Sequence, residues 1–316
     1  MGKLSRPNIT QTSSRQLSVV IDSAKETNRL SQSFTDIALS YPELKERVEL
    51  LKAIQELDRL VGLEELKRLI FEIFALLYVN QKRSELGLKT EPQVFHMIFR
   101  GNPGTGKTTV ARILGNIFRE MGVLSKGHLV EVERADLVGE YIGHTAQKTR
   151  EMMKRALGGI LFIDEAYSLT RGGEKDFGRE AIDTLVKGME DYRNSFVLIL
   201  AGYEDEMERF LQTNPGLPSR FPIQLHFPDY SLEQLLEIGD LMCENREYRI
   251  DVNGRFRMKQ ILQRFMTDPL TPFSNARFVR NLIERAIRHH AVRILKQSYF
   301  NREVLMTLRA EDFKEN

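Results

Sequence analysis

Hydrophobic positions along the middle of the chain alternate between two spacings, and this alternation predicts the order of its elements. Short strand-like runs recur at residues 94–100, 128–132, 160–163, 196–201 and 223–227. The stretches between them carry apolar residues every three or four positions, as amphipathic helices do. The third and fourth runs are apolar throughout, as expected of strands covered on both faces. The pattern predicts an α/β fold with a parallel five-stranded sheet.

The flanking regions follow a different pattern. Residues 1–41 are rich in Ser, Thr and Gln, and we expect a mobile tail there, with a docking segment for a partner as the alternative. Pro42 opens a helical pattern, which predicts a helical N-terminal extension over 42–60, and a second long amphipathic helix follows at about 63–86.

From residue 231 onward the pattern is wholly helical. Its helical runs lie near 231–244, 253–267 and 275–297. The change in pattern at residues 228–230 is the candidate domain boundary. It divides an α/β domain over 61–229 from a helical domain over 230–316.

The first strand-like run leads into a glycine-rich loop, and an amphipathic run follows the loop. Its sequence is Gly101-Asn102-Pro103-Gly104-Thr105-Gly106-Lys107-Thr108, which fits the phosphate-binding loop at every fixed position. Glycines let backbone N–H groups converge on phosphate oxygens, and a helix N-terminus adds the positive end of its dipole. Lys107 is predicted to reach the β- and γ-phosphates and Thr108 to bind Mg²⁺, with Thr109 completing the nucleotide-binding set.

A pair of carboxylates, Asp164-Glu165, ends the third strand-like run. Ligands of open α/β sheets bind at the carboxyl ends of the strands, beside the phosphate loop. Asp164 is predicted to hold Mg²⁺, and Glu165 to polarise the attacking water as a general base. A guanine-selecting Asn/Thr-Lys-x-Asp motif is missing after the fourth run, so ATP is the expected nucleotide.

Composition and charge narrow the class of protein. Hydrophobic residues make up 41% of the chain and charged residues 28%, as in ordinary soluble globular proteins. With 46 basic and 44 acidic residues, no bulk attraction to nucleic acid or an anionic membrane is expected. Cys243 is the single cysteine, which excludes an internal disulfide framework. No membrane-spanning run or signal-type segment is evident, so a cytoplasmic location is predicted.

Further motifs complete a recognisable set. They occupy residues 137–145, 214–221 and 274–277, in addition to the phosphate loop and Phe-Ile-Asp-Glu-Ala-Tyr at 162–167. Together these segments resemble the AAA+ superfamily in its CbxX/CfqX branch, over about residues 56–309. The resemblance implies a P-loop NTPase fold with Walker A and Walker B motifs, a C-terminal helical lid, ATP and Mg²⁺ as cofactors, and a homo-oligomeric, hexameric ring. Residues 123–129 and 172–178 are most like the branch's sporulation member.

The resemblance also implies roles for single residues. Arg220 matches the arginine finger that reaches the ATP of the neighbouring subunit, and Arg277 the sensor-2 arginine of the lid, although Ser274 replaces the usual glycine of that motif. Tyr141-Ile142-Gly143 matches a pore loop, with packing as the alternative.

The resemblance also covers the sensor-1 position and the turn that contacts the adenine. Many AAA+ proteins have Asn or Thr at sensor 1, where this chain has Tyr203, which orients water or simply packs. Val61-Gly62 resembles the adenine-contacting turn, with ordinary loop packing as the alternative.

The predicted function is an ATP-hydrolysing ring motor that remodels a protein or complex, in spore maturation if the resemblance holds. A DNA-directed AAA+ loader is one alternative, because the last long helix is rich in arginine. A solvated or intersubunit face is favoured there over nucleic-acid binding. A nucleotide-gated adaptor without turnover is the other alternative, and Glu165 and Arg220 argue against it.

Overall fold

A computed structural model describes residues 33–39, 41–91, 93–141, 143–171, 177–213, 216–268, 273–296 and 299–314. Its centre is a parallel five-stranded sheet with the strand order β2-β3-β4-β1-β5. The strands are β1 (Met97–Gly101), β2 (Leu129–Val132), β3 (Ile160–Ile163), β4 (Val197–Gly202) and β5 (Ile223–Phe227). The predicted five-stranded parallel sheet is therefore confirmed.

The first strand begins later than the apolar pattern suggests. The pattern opens at residue 94, whereas pairing begins at Met97. The buried ring of His96 accepts a hydrogen bond through Nδ1 from the backbone N–H of Leu198, at 3.0 Å. At this point a backbone N–H of β4 is therefore bonded to a side chain and not to the backbone of β1. The hydrophobic pattern indicates which residues are buried. The segment before Met97 is buried, but its backbone takes no part in the hydrogen bonding between strands.

Helices precede, connect and follow the strands. In chain order they are α1 (Phe34–Leu39), α2 (Pro42–Lys45), α3 (Val48–Asp58), α4 (Glu64–Glu85), α5 (Lys107–Glu120), α6 (Arg134–Leu137), α7 (His144–Arg155), α8 (Gly178–Asp191), α9 (Glu204–Gln212), α10 (Leu232–Glu244), α11 (Val252–Met266), α12 (Asn275–Ile294) and α13 (Arg302–Met306). None of the described helices is long and apolar enough to cross a membrane.

The two faces of the sheet are covered by different helices. Alternate side chains of β1 take part in different clusters: Met97 and Phe99 join one core with α1 to α5, and Ile98 joins the other with α7 to α9. Period-two alternation of this kind follows from the pleat of a strand. β3 and β4 are buried on both faces and contain no polar side chain, whereas the edge strands β2 and β5 carry Glu131, Gln224 and His226.

The packed part of the chain begins before Pro42. Helix α1 lies within the segment expected to be a polar tail, yet its Ala38 is fully buried in the first core. The backbone N–H of Thr35 also donates to the Asp58 carboxylate at the end of α3, at 2.6 Å. A helix of 6 residues is too short to give a recognisable hydrophobic pattern. The rest of that segment, residues 1–32 and 40, lies outside the described residues.

The C-terminal region forms a third core around α10, α11 and α12. It is not wholly helical, since β6 (Arg249–Ile250) and β7 (Thr307–Leu308) pair in parallel. This detail of the sequence prediction was wrong, because two-residue strands are too short to produce a periodic signal. The helical character of the region is otherwise as predicted.

Candidate nucleotide-binding site

The glycine-rich loop connects the end of β1 to the start of α5. A side chain at Gly101 would place its Cβ 2.3 Å from the carbonyl oxygen of Phe227, so β1 and β5 approach each other closely only with glycine there. Gly106, which precedes the helix, has a φ of 98°, a left-handed value that glycine adopts without strain. The buried hydroxyl of Thr105 donates to the carbonyl oxygen of Asn102 at 2.8 Å and closes the loop on itself.

The Lys107 ammonium lies over this loop. Its Nζ donates to the carbonyl oxygens of Gly101 and Asn102, each at 2.8 Å. Burial lowers the pKa of Lys107, while Asp164 raises it and Arg277 lowers it further. The cation is thus held at the mouth of the loop, and a polyphosphate arriving there would favour its protonated form.

The carboxylates that follow β3 lie at the same edge of the sheet. The N–H of Asp164 bonds to the carbonyl of Val132, and its carboxylate accepts the N–H of Glu165 at 3.0 Å. Glu165 has a φ of 46°, which is left-handed and unusual for a residue other than glycine. Such backbone strain costs about 1–2 kcal/mol and tends to occur at functional sites.

These elements surround one cavity of about 230 Å³. The C-terminal ends of β3 and β4 and the N-terminal ends of α5 and α12 contribute to it. A cavity is expected at this edge, because ligands of open α/β sheets bind at the carboxyl ends of the strands. Of the residues predicted from sequence, it is lined by Pro103, Gly104, Gly106, Lys107, Thr108, Thr109, Asp164, Glu165, Tyr203 and Arg277. The phosphate loop, the carboxylate pair and the lid arginine are therefore brought together around the same space.

Four lining residues had no role assigned from the sequence: Tyr167, Gly202, Ala276 and Arg280. The ring of Tyr167 stacks on that of Tyr203 with centroids 5.7 Å apart. Burial, then the charge of Glu165, raises the pKa of Tyr167 to about 12, so it remains a donor at neutral pH. Arg280 lies one helical turn after Arg277 on α12, and this three-residue spacing was the available sequence signal.

The donor set suits a magnesium ion bound together with a nucleotide. Thr108 and Asp164 line the same cavity, and a hydroxyl and a carboxylate are hard oxygen ligands of the kind Mg²⁺ prefers. The described residues include no group of three or more His, Cys, Asp or Glu that could hold a metal alone. A divalent cation here would therefore take its remaining ligands from phosphate and water.

The Val61-Gly62 turn lies beside the loop rather than among the described residues that line the cavity. Val61 is buried in the C-terminal core, and a Cβ at Gly62 would lie 2.9 Å from the amide of Gln234. Tyr230 packs in the same core and donates its hydroxyl to the Thr105 carbonyl oxygen at 3.1 Å. The turn thus contacts the lid next to the phosphate loop.

Arg220 is not among the described residues that line this cavity. It ends a short 3-10 helix, Pro218–Arg220, and donates to the carbonyl of Gly216 at 2.9 Å. Its guanidinium also pairs with the Glu190 carboxylate of α8. Within its own chain, this arginine is therefore bound away from the phosphate loop.

The segment predicted as a pore loop lies just before α7. Tyr141 has 66% of its surface exposed, and its ring contacts His144 edge to face with centroids 5.5 Å apart. Gly143 has a φ of 83°, and no described atom lies within 4 Å of where its Cβ would be. Ile142 lies outside the described residues. Tyr141 is thus an exposed aromatic side chain beside a glycine with free space around it.

Comparison with known proteins extends these observations. Residues 97–229 match the family model described as "ATPase family associated with various cellular activities (AAA)", and residues 231–316 match the "AAA lid domain". Stage V sporulation protein K of Bacillus subtilis is 54% identical over 309 residues, which cover 96% of this chain and 95% of that protein. A chloroplastic ribulose bisphosphate carboxylase/oxygenase activase of Cyanidioschyzon merolae is 46% identical, covering 84% and 92%.

One further relative and one solved structure agree with this result. The chromosomal CbxX protein of Cupriavidus necator is 47% identical over 82% of each chain. A solved mutant of the Thermotoga maritima RuvB protein has a similar fold, with a TM-score of 0.51 at 21% identity over 79% of this chain and 69% of that one. The chain belongs to the AAA ATPase family, with the CbxX and CfxQ proteins among its relatives.

Proposed function

We propose that this protein is a ring motor that hydrolyses ATP to ADP and phosphate and uses the energy to remodel a protein or protein complex. The observation that carries the proposal is the position of Glu165, on the same cavity as the phosphate loop and Arg277. A site that only bound nucleotide would not need a carboxylate, held on a strained backbone, at the cavity beside the phosphate loop. In this proposal residues 61–229 form the nucleotide-binding domain and residues 230–316 its lid.

The lining residues divide the chemistry among them. Lys107 binds the β- and γ-phosphates, and Glu165 accepts a proton from the water that attacks the γ-phosphate. Thr108 and Asp164 hold Mg²⁺, which when bound offsets phosphate charge. Arg277 contributes positive charge from the lid, and Tyr203 is positioned to orient the water as sensor 1. Val61-Gly62 would flank the adenine.

Assembly into a hexameric ring would complete the site. Arg220 pairs with Glu190 and lies outside the cavity of its own chain, which supports a role on the ATP of a neighbouring subunit. A guanidinium in that position stabilises the charge that develops on the γ-phosphate oxygens. An exposed Tyr141 beside Gly143 supports a substrate-gripping loop in the pore of such a ring.

We propose that this protein acts on proteins, in the cytoplasm, rather than on nucleic acid. One is named for stage V of sporulation and another for activating an enzyme, and we propose spore maturation because the first is 54% identical. The alternative of a DNA-directed loader relied on the basic last helix, yet Arg277 and Arg280 of that helix line the nucleotide cavity. Fewer cations are then left for a DNA-binding face.

ATP binding and hydrolysis are tested with two variants. Glu165→Gln should bind ATP normally and turn it over about 10²–10⁴-fold more slowly, because an amide cannot accept the water's proton. Lys107→Ala should lose ATP binding itself. ATPase rates and the binding of a fluorescent ATP analogue separate these outcomes. A Glu165→Gln protein with the parental rate would exclude Glu165 as the base.

Subunit mixing tests the arginine finger. Arg220→Ala and Glu165→Gln chains should each be inactive alone, and mixing them should restore activity, because some interfaces then pair an intact Glu165 with an intact Arg220. Mixing Lys107→Ala with Glu165→Gln is the matched control, since both changes affect the phosphate site of one subunit. Equal recovery in both mixtures, or a monomer in sedimentation with ATP, would contradict the ring.

A further inference from the structure

A carboxylate at the end of the sheet connects the phosphate loop to the lid. Asp229 follows β5, and its two oxygens accept hydrogen bonds from the side-chain amide of Asn102, each at 3.0 Å. One of those oxygens also accepts the side-chain amide of Asn275 at 2.7 Å. Asn102 belongs to the phosphate loop, and Asn275 is the first residue of α12. A single acidic side chain therefore holds both elements.

Asn275 is held in place by further contacts. It is fully buried, and its side-chain oxygen accepts the N–H of Tyr230 at 3.0 Å. Its amide nitrogen also lies 3.3 Å from the carbonyl oxygen of Pro103. The residue has a φ of 49°, a left-handed conformation that asparagine adopts more readily than most residues. Its polar atoms therefore link α12 to Asp229, Tyr230 and the loop.

Backbone contacts reinforce the same junction. The N–H of Ala276 donates to the carbonyl oxygen of Gly104 at 3.2 Å. Arg277 comes next in the helix and lines the nucleotide cavity. Any displacement of the first turn of α12 would thus move Arg277 and disturb the phosphate loop together.

We propose that Asp229 is a positioning residue that joins the phosphate loop to the lid through Asn102 and Asn275 and so sets the position of Arg277 on the bound nucleotide. The inference rests on the proposed function, since it assumes that the cavity binds ATP. Asp229 is not among the described residues that line the cavity, so it acts through the residues it holds. Its loss should weaken ATP binding more than it slows the chemical step, for which Glu165 and Lys107 remain in place.

The first test compares two aspartate-to-alanine variants. Asp229→Ala should raise the KM for ATP at least about tenfold while kcat falls by less than about threefold. Asp229 is an exposed residue, so the variant should fold. Asp240→Ala is the matched control, because Asp240 pairs with Arg255 on the lid, 2.9 Å away. The control should keep the parental KM. Equal KM values for the two variants would overturn the proposal.

A second test exchanges the partners. Asn275→Asp places two carboxylates against each other and should raise the KM sharply. The double variant Asp229→Asn with Asn275→Asp restores an amide facing a carboxylate, and residue 275 still accepts the N–H of Tyr230. Because residue 275 then no longer donates to the Pro103 carbonyl oxygen, the double variant should recover part of the loss and have a lower KM than Asn275→Asp. A double variant no better than folded Asn275→Asp would overturn the proposal. If Asn275→Asp does not fold, recovery of folding in the double variant supports the pairing, and the alanine pair decides the effect on KM.

These outcomes are separable from failure of the proposed function. Affinity for a fluorescent ATP analogue is measured for every variant alongside turnover. An inactive parental protein that still binds the analogue would refute hydrolysis, and the variants would still report on the junction through affinity. An active parental protein with unaffected variants would refute the junction alone.

Discussion

Gly104 in the phosphate loop offers a sharp test of how closely the lid and the loop are packed. A Cβ added there would lie 2.2 Å from the carbonyl oxygen of Ser274 and 2.9 Å from the backbone nitrogen of Arg277. Both are backbone atoms, so no side chain can turn aside. Restoring an ordinary contact requires the start of α12 to move by about 1 Å. We therefore expect Gly104→Ala to separate the lid from the loop.

The magnitude follows from two terms. Gly104 has a φ of 73°, and an alanine in the left-handed region costs about 1–2 kcal/mol of unfolding free energy. Displacing α12 also breaks the hydrogen bond from Ala276 to the Gly104 carbonyl oxygen, which contributes about 1 kcal/mol. Because Arg277 moves with the helix, the affinity for ATP should fall at least about tenfold, or 1.4 kcal/mol.

Gly122→Ala is the matched control. Gly122 has a φ of 77°, and no described atom lies within 4 Å of its missing Cβ, so it carries the backbone cost without the clash. Urea unfolding and ATP titration of both variants separate strain from displacement. Gly122→Ala should lose stability and retain parental affinity. If Gly104→Ala bound ATP as tightly as Gly122→Ala, the lid would not be packed on the loop as described.

Two further predictions concern other parts of the chain. Tyr141→Ala should keep ATP binding and most basal hydrolysis but lose substrate-stimulated turnover, whereas Tyr141→Phe should be near normal. ATPase assays with and without a protein substrate measure this difference. Full activity of the alanine variant would exclude gripping of the substrate by Tyr141. Burial lowers the pKa of His96 to about 4, below its usual value of 6.5. The unfolded state then binds more protons between these values, so stability falls as pH drops from about 7 to 4, by about 3 kcal/mol. Urea unfolding of His96→Asn should lack this component, and an unchanged pH dependence would contradict it.

The sequence by itself determined the elements whose signals are local. The phosphate loop is a contiguous motif, and Ile160–Ile163 is a continuous apolar run, as expected of a strand covered on both faces. Their positions, and the parallel direction of the strands, followed from the alternation of strand-like and helical runs, whereas the strand order β2-β3-β4-β1-β5 did not. Asp164 and Glu165 could be assigned to the same site because they end such a strand, and parallel strands bring their carboxyl ends to one edge.

The arrangement that joins the lid to the loop was decided only by the tertiary structure. Asn102 and Asp229 are 127 positions apart, and Asp229 and Asn275 are 46 apart, so their hydrogen bonds leave no periodic trace in the chain. The same holds for Tyr167, whose role depends on Glu165 and Tyr203 rather than on its place in a motif. The hydrophobic pattern of the sequence indicates which side chains are buried, because buried positions recur with the period of the helix or the strand. A polar contact between distant segments involves single residues, and only the packing of the first turn of α12 against the phosphate loop brings those residues together.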